Sequence, residues 1–244
     1  MIAVPAYEQS SDQEVAFQAV DYILRVLKKN MVFGMTWGRA MHEFVEQLAK
    51  DERLRSLSFQ NVKVVPFLGT PGAIQSDSWN TTTYSNTLAT KVGNLLHCAS
   101  YNLSAPMYVE GTKEKELIES IDEIAKVLHM AETADIALIG IGSMQDDSSI
   151  IKAEIRTREE YKELVRKGAV GEIVGRIYDK NGQTVDEDLK RKMVGISLDK
   201  IAKIPVRVGM SYGKDKIEAI KGAIAGGLVN VLVTDVPTAE LLLK

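Results

Sequence analysis

Two apolar runs that each break into a glycine-rich loop, Met31–Arg39 and Ala134–Ser143, constrain this chain more than any other feature of its sequence. A short apolar run bounded by glycine reads as a strand buried on both faces. Glycine at its carboxyl end lets the backbone approach a ligand closely. The first run passes directly into a helical pattern from Ala40 to Lys50, so unpaired N–H groups and the positive end of a helix dipole face whatever the loop holds. An anion suits that place, with Thr36 and Arg39 as additional donors.

The rest of the chain keeps the same rhythm. Ser10, Ser11 and Glu14, followed by Val15, Ala19, Ile23, Val26 and Leu27 at helical spacing, predict a capped amphipathic helix ending near Asn30. Strands are expected at Met31–Gly34, Val62–Leu68, Ala99–Val109 and Ala134–Gly140, with a helix at Ser85–His97 and one or two helices over Lys113–Ala131. The polar stretch Ile74–Thr83, with Trp79 in its middle, has the character of a ligand lid. A helix at Glu159–Lys167 precedes Gly168–Gly182, which reads as an antiparallel excursion with a hairpin turn at Asp179–Gly182. The chain closes with strand Val206–Met210, helix Lys216–Ala225, strand Val229–Thr234 and a short helix that Asp235 would cap. The expected fold is therefore α/β: a mostly parallel, Rossmann-like sheet with helices on both faces and a small antiparallel excursion. No Pro/Gly-rich linker divides the chain, so residues 1–244 are expected to form one unit.

Charge and cysteine content narrow the function classes. A net charge of −3 offers no basic footprint for a nucleic-acid backbone. The single cysteine, Cys98, excludes an intrachain disulfide and fits a reducing compartment. No signal peptide and no apolar run of membrane-spanning length is present, and the expected location is the cytoplasm. His42, His97 and His129 are scattered without a second ligand at metal spacing, so no metal site and no cofactor are expected.

The candidate chemistry lies in the strand-end loops. Thr36–Arg39 brings a hydroxyl, a guanidinium and backbone donors to one point. Gly140–Ser143, followed by Gln145, Asp146 and Asp147, lies where open α/β sheets place ligands. It lacks the third glycine and helix start of a dinucleotide fingerprint. Lys216 begins a helix, where a cation opposes the dipole unless an anion compensates it. An imine between Lys216 and an open-chain sugar aldehyde is a second possibility, requiring a depressed amine pKa. Glu172 is placed to accept hydrogen bonds from hydroxyl groups, and it or Asp146 and Asp147 would be the nominees for a general base. None of the common hydrolase, metalloprotease or Walker motifs occurs.

Seven segments in order resemble the effector-binding domain of the SorC (DeoR-like) family of bacterial sugar-responsive regulators. They are Gly34–Arg39, Val64–Gly69, Asn86–Ala89, Ala134–Ser143, Gly168–Ile173, Lys216–Ile220 and Leu232–Asp235. The resemblance implies a fold similar to glucosamine-phosphate deaminases and ribose-phosphate isomerases, used to sense a phosphorylated sugar and control a carbohydrate-utilisation operon. It implies that Gly34, Thr36, Trp37, Gly38, Arg39 and Lys216 hold the phosphate, and that Gly69, Thr70, Asn86, Gly142, Gln145, Asp146 and Glu172 face the sugar. It also implies a homo-oligomer, dimer or tetramer. DNA contact would come through a helix-turn-helix that is not visible before Val15. Where many members have paired glycines before the helix-start lysine, this chain has Tyr212-Gly213-Lys214-Asp215, so the pocket wall differs there. The competing readings are a sugar-phosphate isomerase or deaminase of the same fold, and a purely structural oligomerisation domain.

Overall fold

A computed structural model describes residues 1–4, 11–71, 81–145 and 148–244. Its strands are β1 (Ile2–Val4), β2 (Val32–Met35), β3 (Lys63–Pro66), β4 (Ala99–Ser100), β5 (Ile136–Gly140), β6 (Gly142–Ser143), β7 (Ala169–Ile173), β8 (Arg176–Asp179), β9 (Val206–Met210) and β10 (Val231–Asp235). The helices are α1 (Ser11–Val26), α2 (Arg39–Leu48), α3 (Ser85–Leu95), α4 (Thr112–Glu119), α5 (Asp122–Glu132), α6 (Ser149–Lys152), α7 (Arg158–Arg166), α8 (Glu187–Lys192), α9 (Leu198–Ile201), α10 (Ile217–Ala225) and α11 (Val236–Leu242).

Seven strands form one sheet in the order β1-β10-β9-β5-β2-β3-β4, and every pairing in it is parallel. Alternation along each strand decides which layer its side chains enter. In β5, Ile136 and Leu138 pack with Phe33, Met35 and the apolar stripes of α1, α2 and α3. Ala137 and Ile139 face the opposite layer, with Ala131 of α5 and Ala219, Ile220 and Ala223 of α10. Both faces are thus covered, as a wholly parallel sheet requires. Strands β6, β7 and β8 form a separate antiparallel sheet; β7 and β8 fall within Gly168–Gly182, where the sequence predicts an excursion, and β6, expected as loop, adds a third strand to it.

Chain order sets the position of the functional edge. From β2 the chain moves outward through β3 to β4, then returns to place β5 on the other side of β2. That reversal makes β2/β5 the switch point of the sheet, where the connecting loops diverge and leave a crevice at the carboxyl ends. Thr36 ties the two loops together. Its N–H donates to Leu138 O at 3.1 Å, and its Oγ1 accepts from Gly140 N–H at 3.0 Å.

Several elements depart from the sequence reading. Only Ala99–Ser100 of the expected Ala99–Val109 strand is regular, because the Asn86 side chain takes over both backbone groups of Leu103 (Oδ1 from N–H at 2.9 Å, Nδ2 to C=O at 3.1 Å). Strand β1, at the sheet edge beside β10, was not foreseen, since three residues carry no readable period. The β7–β8 turn falls at Val174-Gly175, where φ is +54° and +68°. Asp179–Gly182 makes the next turn, which returns the chain to a bridge between Tyr178 and Thr184. Helix α1 ends at Val26 rather than near Asn30. Ser10, Gly72 and Trp79, with residues 74–80 of the expected lid, lie outside the described residues.

Gly34 sits in β2 beneath the Phe67 ring, and a Cβ built there would lie 1.9 Å from a ring carbon. Overpacking of this kind in a dense core costs roughly 1–3 kcal/mol. Gly34→Ala is expected to lower unfolding free energy by that amount in a urea titration. A change within 0.5 kcal/mol, the scatter of an inert surface substitution, would show that the ring moves freely aside.

Candidate functional site

At the switch point the loops after β2, β5 and β9 enclose a cavity of about 330 Å³. Trp37, Gly38, Arg39 and Ala40 come from the first loop and the start of α2. Gly140 to Ser143 come from the second, Met210 to Tyr212 with Asp215 and Lys216 from the third, and Glu172 from β7. Asp12, in the first turn of α1, and Ser148 complete the lining. A larger open groove of about 780 Å³ runs along α5 beside Tyr101–Ser104. It is lined mainly by successive residues of one helix, whereas the smaller cavity gathers charged and polar groups from separate strand ends, the arrangement of a ligand site.

Gly38 shapes the entrance to α2. Its φ of +105° with ψ of −179° is glycine territory, and nothing lies within 4 Å of where a Cβ would be. Its own N–H donates to Thr83 O at 2.9 Å. No side chain caps α2, so its first turn meets the cavity with the positive end of the dipole and no intervening carboxylate cap.

Lys216 is held by a short relay. Its Nζ donates to Ser143 Oγ at 2.8 Å, Ser143 Oγ donates to Asp215 Oδ2 at 3.2 Å, and the ammonium lies 3.6 Å from the same carboxylate. The short helical turn Lys214–Lys216 that precedes α10 starts from Gly213, whose φ is +107° and whose N–H donates to Thr238 Oγ1 at 2.8 Å. The ammonium is therefore aimed by three separate elements.

Glu172 is the buried acid of the site, 7% exposed. It accepts hydrogen bonds from Gly175 N–H across the β7–β8 turn and from the Trp37 side chain. Burial pushes its carboxyl up to about 7, against the opposing pull of the Gly175 hydrogen bond, Lys216 and Trp37. Gly142 lies directly opposite, and a Cβ there would stand 2.9 Å from Glu172 Oε2. At the far wall Tyr212 is hydrogen-bonded to Asp12; burial and that bond both raise its phenol pKa.

Among the residues expected to hold phosphate, Trp37, Gly38, Arg39 and Lys216 line this one cavity. Gly34 and Thr36 lie behind it, serving packing and the stitch between loops. Among those expected to face sugar, Gly142 and Glu172 line it. Gly69, Thr70 and Asn86 meet elsewhere: Asn86 Nδ2 donates to Thr70 Oγ1 at 2.9 Å, and a Cβ on Gly69 would press on the Ala105 and Pro106 carbonyls at 2.5 and 2.6 Å. Gln145 is exposed and outside the lining, and Asp146 lies outside the described residues. Asp12 was missed, because a helix start signals only a cap until the topology places it at the rim. Among the described residues no group of three or more His, Cys, Asp or Glu could hold a metal ion.

The family described as "Putative sugar-binding domain" matches residues 2–244. The sorbitol operon regulator of Klebsiella pneumoniae is 30% identical over 222 residues, spanning 90% of this chain and 67% of that regulator. The transcriptional regulator LsrR of Escherichia coli K12 is 30% identical over 230 residues, 93% of this chain and 67% of LsrR. The solved full-length sorbitol operon regulator SorC from K. pneumoniae superimposes with a TM-score of 0.88 at 27% identity, over 99% of this chain and 75% of that one.

Glu172 makes stability depend on pH. A carboxyl with an ordinary value of 4.5 when unfolded and about 7 when folded binds more protons in the folded state between those values, so its stabilisation falls as pH rises through that window. The span corresponds to about 3 kcal/mol at most. The unfolding free energy of Glu172→Gln minus that of wild type is expected to grow by up to this amount between pH 5 and 8. A difference that stays flat across the window would show that Glu172 titrates normally.

Proposed function

The chain belongs to the sugar-binding-domain family of SorC-type transcriptional regulators, and from that membership we propose that the switch-point cavity binds a phosphorylated sugar as effector. The observation that carries this reading is the convergence of Arg39, Lys216 and the uncapped start of α2 on one cavity of about 330 Å³. A guanidinium, an ammonium and backbone donors are the recognition set of a phosphate. Gly142, Ser143 and Glu172 supply the polar wall that a sugar's hydroxyl groups need. The size is at the lower end of the range for small-molecule sites, roughly 300–1,000 Å³.

In this reading the domain is a sensor, as its relatives are regulators and not enzymes. Effector binding changes contacts between copies in a cytoplasmic homo-oligomer, and operator affinity follows through a DNA-binding segment outside these 244 residues. The Klebsiella and E. coli regulators are longer than this chain, which spans 67% of each. Among the described residues no helix is long and apolar enough to cross a membrane.

The test is thermal stabilisation by a panel of sugar phosphates beside the corresponding free sugars. A ligand present at 100 times its dissociation constant adds about 2.7 kcal/mol. Arg39→Ala and Lys216→Ala are each expected to weaken the best ligand at least about tenfold, or about 1.4 kcal/mol, while leaving the melting temperature of the unliganded protein near wild type. Wild-type affinity in both variants would remove the phosphate assignment.

A further inference from the structure

The charged groups around the cavity are unequal in number. Arg39 and Lys216 are the cations among the lining residues, and Asp12, Glu172 and Asp215 are the acids. The charged residues outside the described segments cannot redress this, because they are all acidic: Glu8, Asp77, Asp146 and Asp147. One phosphate dianion matches the two cations. A second would face carboxylates with no cation left to offset them, and like charges brought together in a partly desolvated site repel strongly.

We infer that the effector carries a single phosphate and presents neutral hydroxyl groups to Glu172 and Asp215, so that sugar bisphosphates are excluded by charge. The inference rests on the phosphate reading above and adds which phosphorylated sugars qualify. Glu172 suits the role geometrically. It is buried in the cavity floor, with Gly175 N–H and the Trp37 side chain already oriented on it. A hydroxyl donating to its carboxylate completes an environment that a second phosphate would destabilise. Asp215, with its side chain half exposed, already accepts from Ser143 and lies beside Lys216, so the ammonium is partly neutralised before any ligand arrives.

The experiment is calorimetric titration of the 244-residue protein at pH 8, above the raised value of Glu172 so that its carboxyl is ionised, with ketose and aldose monophosphates, each beside its bisphosphate and its free sugar. The expected result is a monophosphate binding about tenfold or more tightly than the bisphosphate of the same sugar. A bisphosphate that binds as tightly as its monophosphate, or more so, overturns the inference and leaves the phosphate reading standing. Free sugars binding as well as their phosphates, or no phosphorylated compound binding at all, overturns the phosphate reading and the inference with it. In the double variant Glu172→Gln, Asp215→Asn the gap between monophosphate and bisphosphate is expected to shrink at least threefold. Asp12→Asn, a change at an exposed position, provides a second variant and is expected to narrow the gap in the same direction. A gap unchanged in every variant that folds would show that the carboxylates do not discriminate.

Discussion

The site depends on a constraint of direction. Every strand of the large sheet runs the same way, so the loops that follow β2, β5 and β9 all emerge on one edge. Because β5 lies beside β2 and β9 beside β5, three carboxyl ends separated by single strand spacings supply the cavity walls. Thr36 converts that proximity into a fixed geometry by accepting from Gly140 N–H and donating its own N–H to Leu138 O. Its side chain is 1% exposed, so the hydroxyl is no competitor for a ligand. It is a strut between two of the loops that wall the cavity.

The floor of the cavity comes from the small antiparallel sheet, and holding it there requires unusual backbone. Val174 turns with φ of +54°, a conformation that β-branched residues rarely adopt. The turn aims Gly175 N–H at the Glu172 carboxyl. Local strain is tolerated where the surroundings over-determine it, and here the surroundings are dense. Arg176, next in the chain, is 2% exposed and donates to the carbonyls of Met193 and Gly195 at 3.2 and 3.0 Å. Burial lowers its guanidinium to about 10. Gly195 in turn bridges Leu68 at the end of β3. The small sheet is thereby bolted to the large one from behind the acid it presents.

How much of this could be read from the sequence varies with the range of the interactions involved. The strand-end loops around Thr36–Arg39 and Gly140–Ser143 were legible because a buried strand, glycines and a helix start leave a local record. Lys216 was legible as a cation at a helix start, and Glu172 as an acid able to accept from hydroxyl groups. Asn86 was not legible. An asparagine at the start of a helix carries no sign that it will bond Leu103 and Thr70. Gly34 and Gly69 were ambiguous for the same reason, since a glycine kept for a ligand and one kept for the Phe67 ring or the Ala105 carbonyl look alike until the fold brings the neighbour in. Asp12 is the extreme case, because only the placement of α1 puts it at the rim.

Lys216 ties the cavity to the elements packed behind it. An ammonium on a flexible stem loses rotamer freedom when it is fixed on a ligand, and a site that fixes it beforehand avoids part of that cost. Ser143 and Asp215 do this at 2.8 and 3.6 Å. The helix it precedes is restrained at both ends. Near its start Tyr178 OH donates to Ala219 O at 2.9 Å; at its end Gly226 lies so close to Gly182 that a Cβ would stand 2.6 Å from the Gly182 Cα. Packed elements of this density have few intermediate positions and move, if at all, as units. Lys216 sits at the start of α10, so its anchoring to Ser143 ties the cavity wall to that helix and, through Tyr178, to the small sheet.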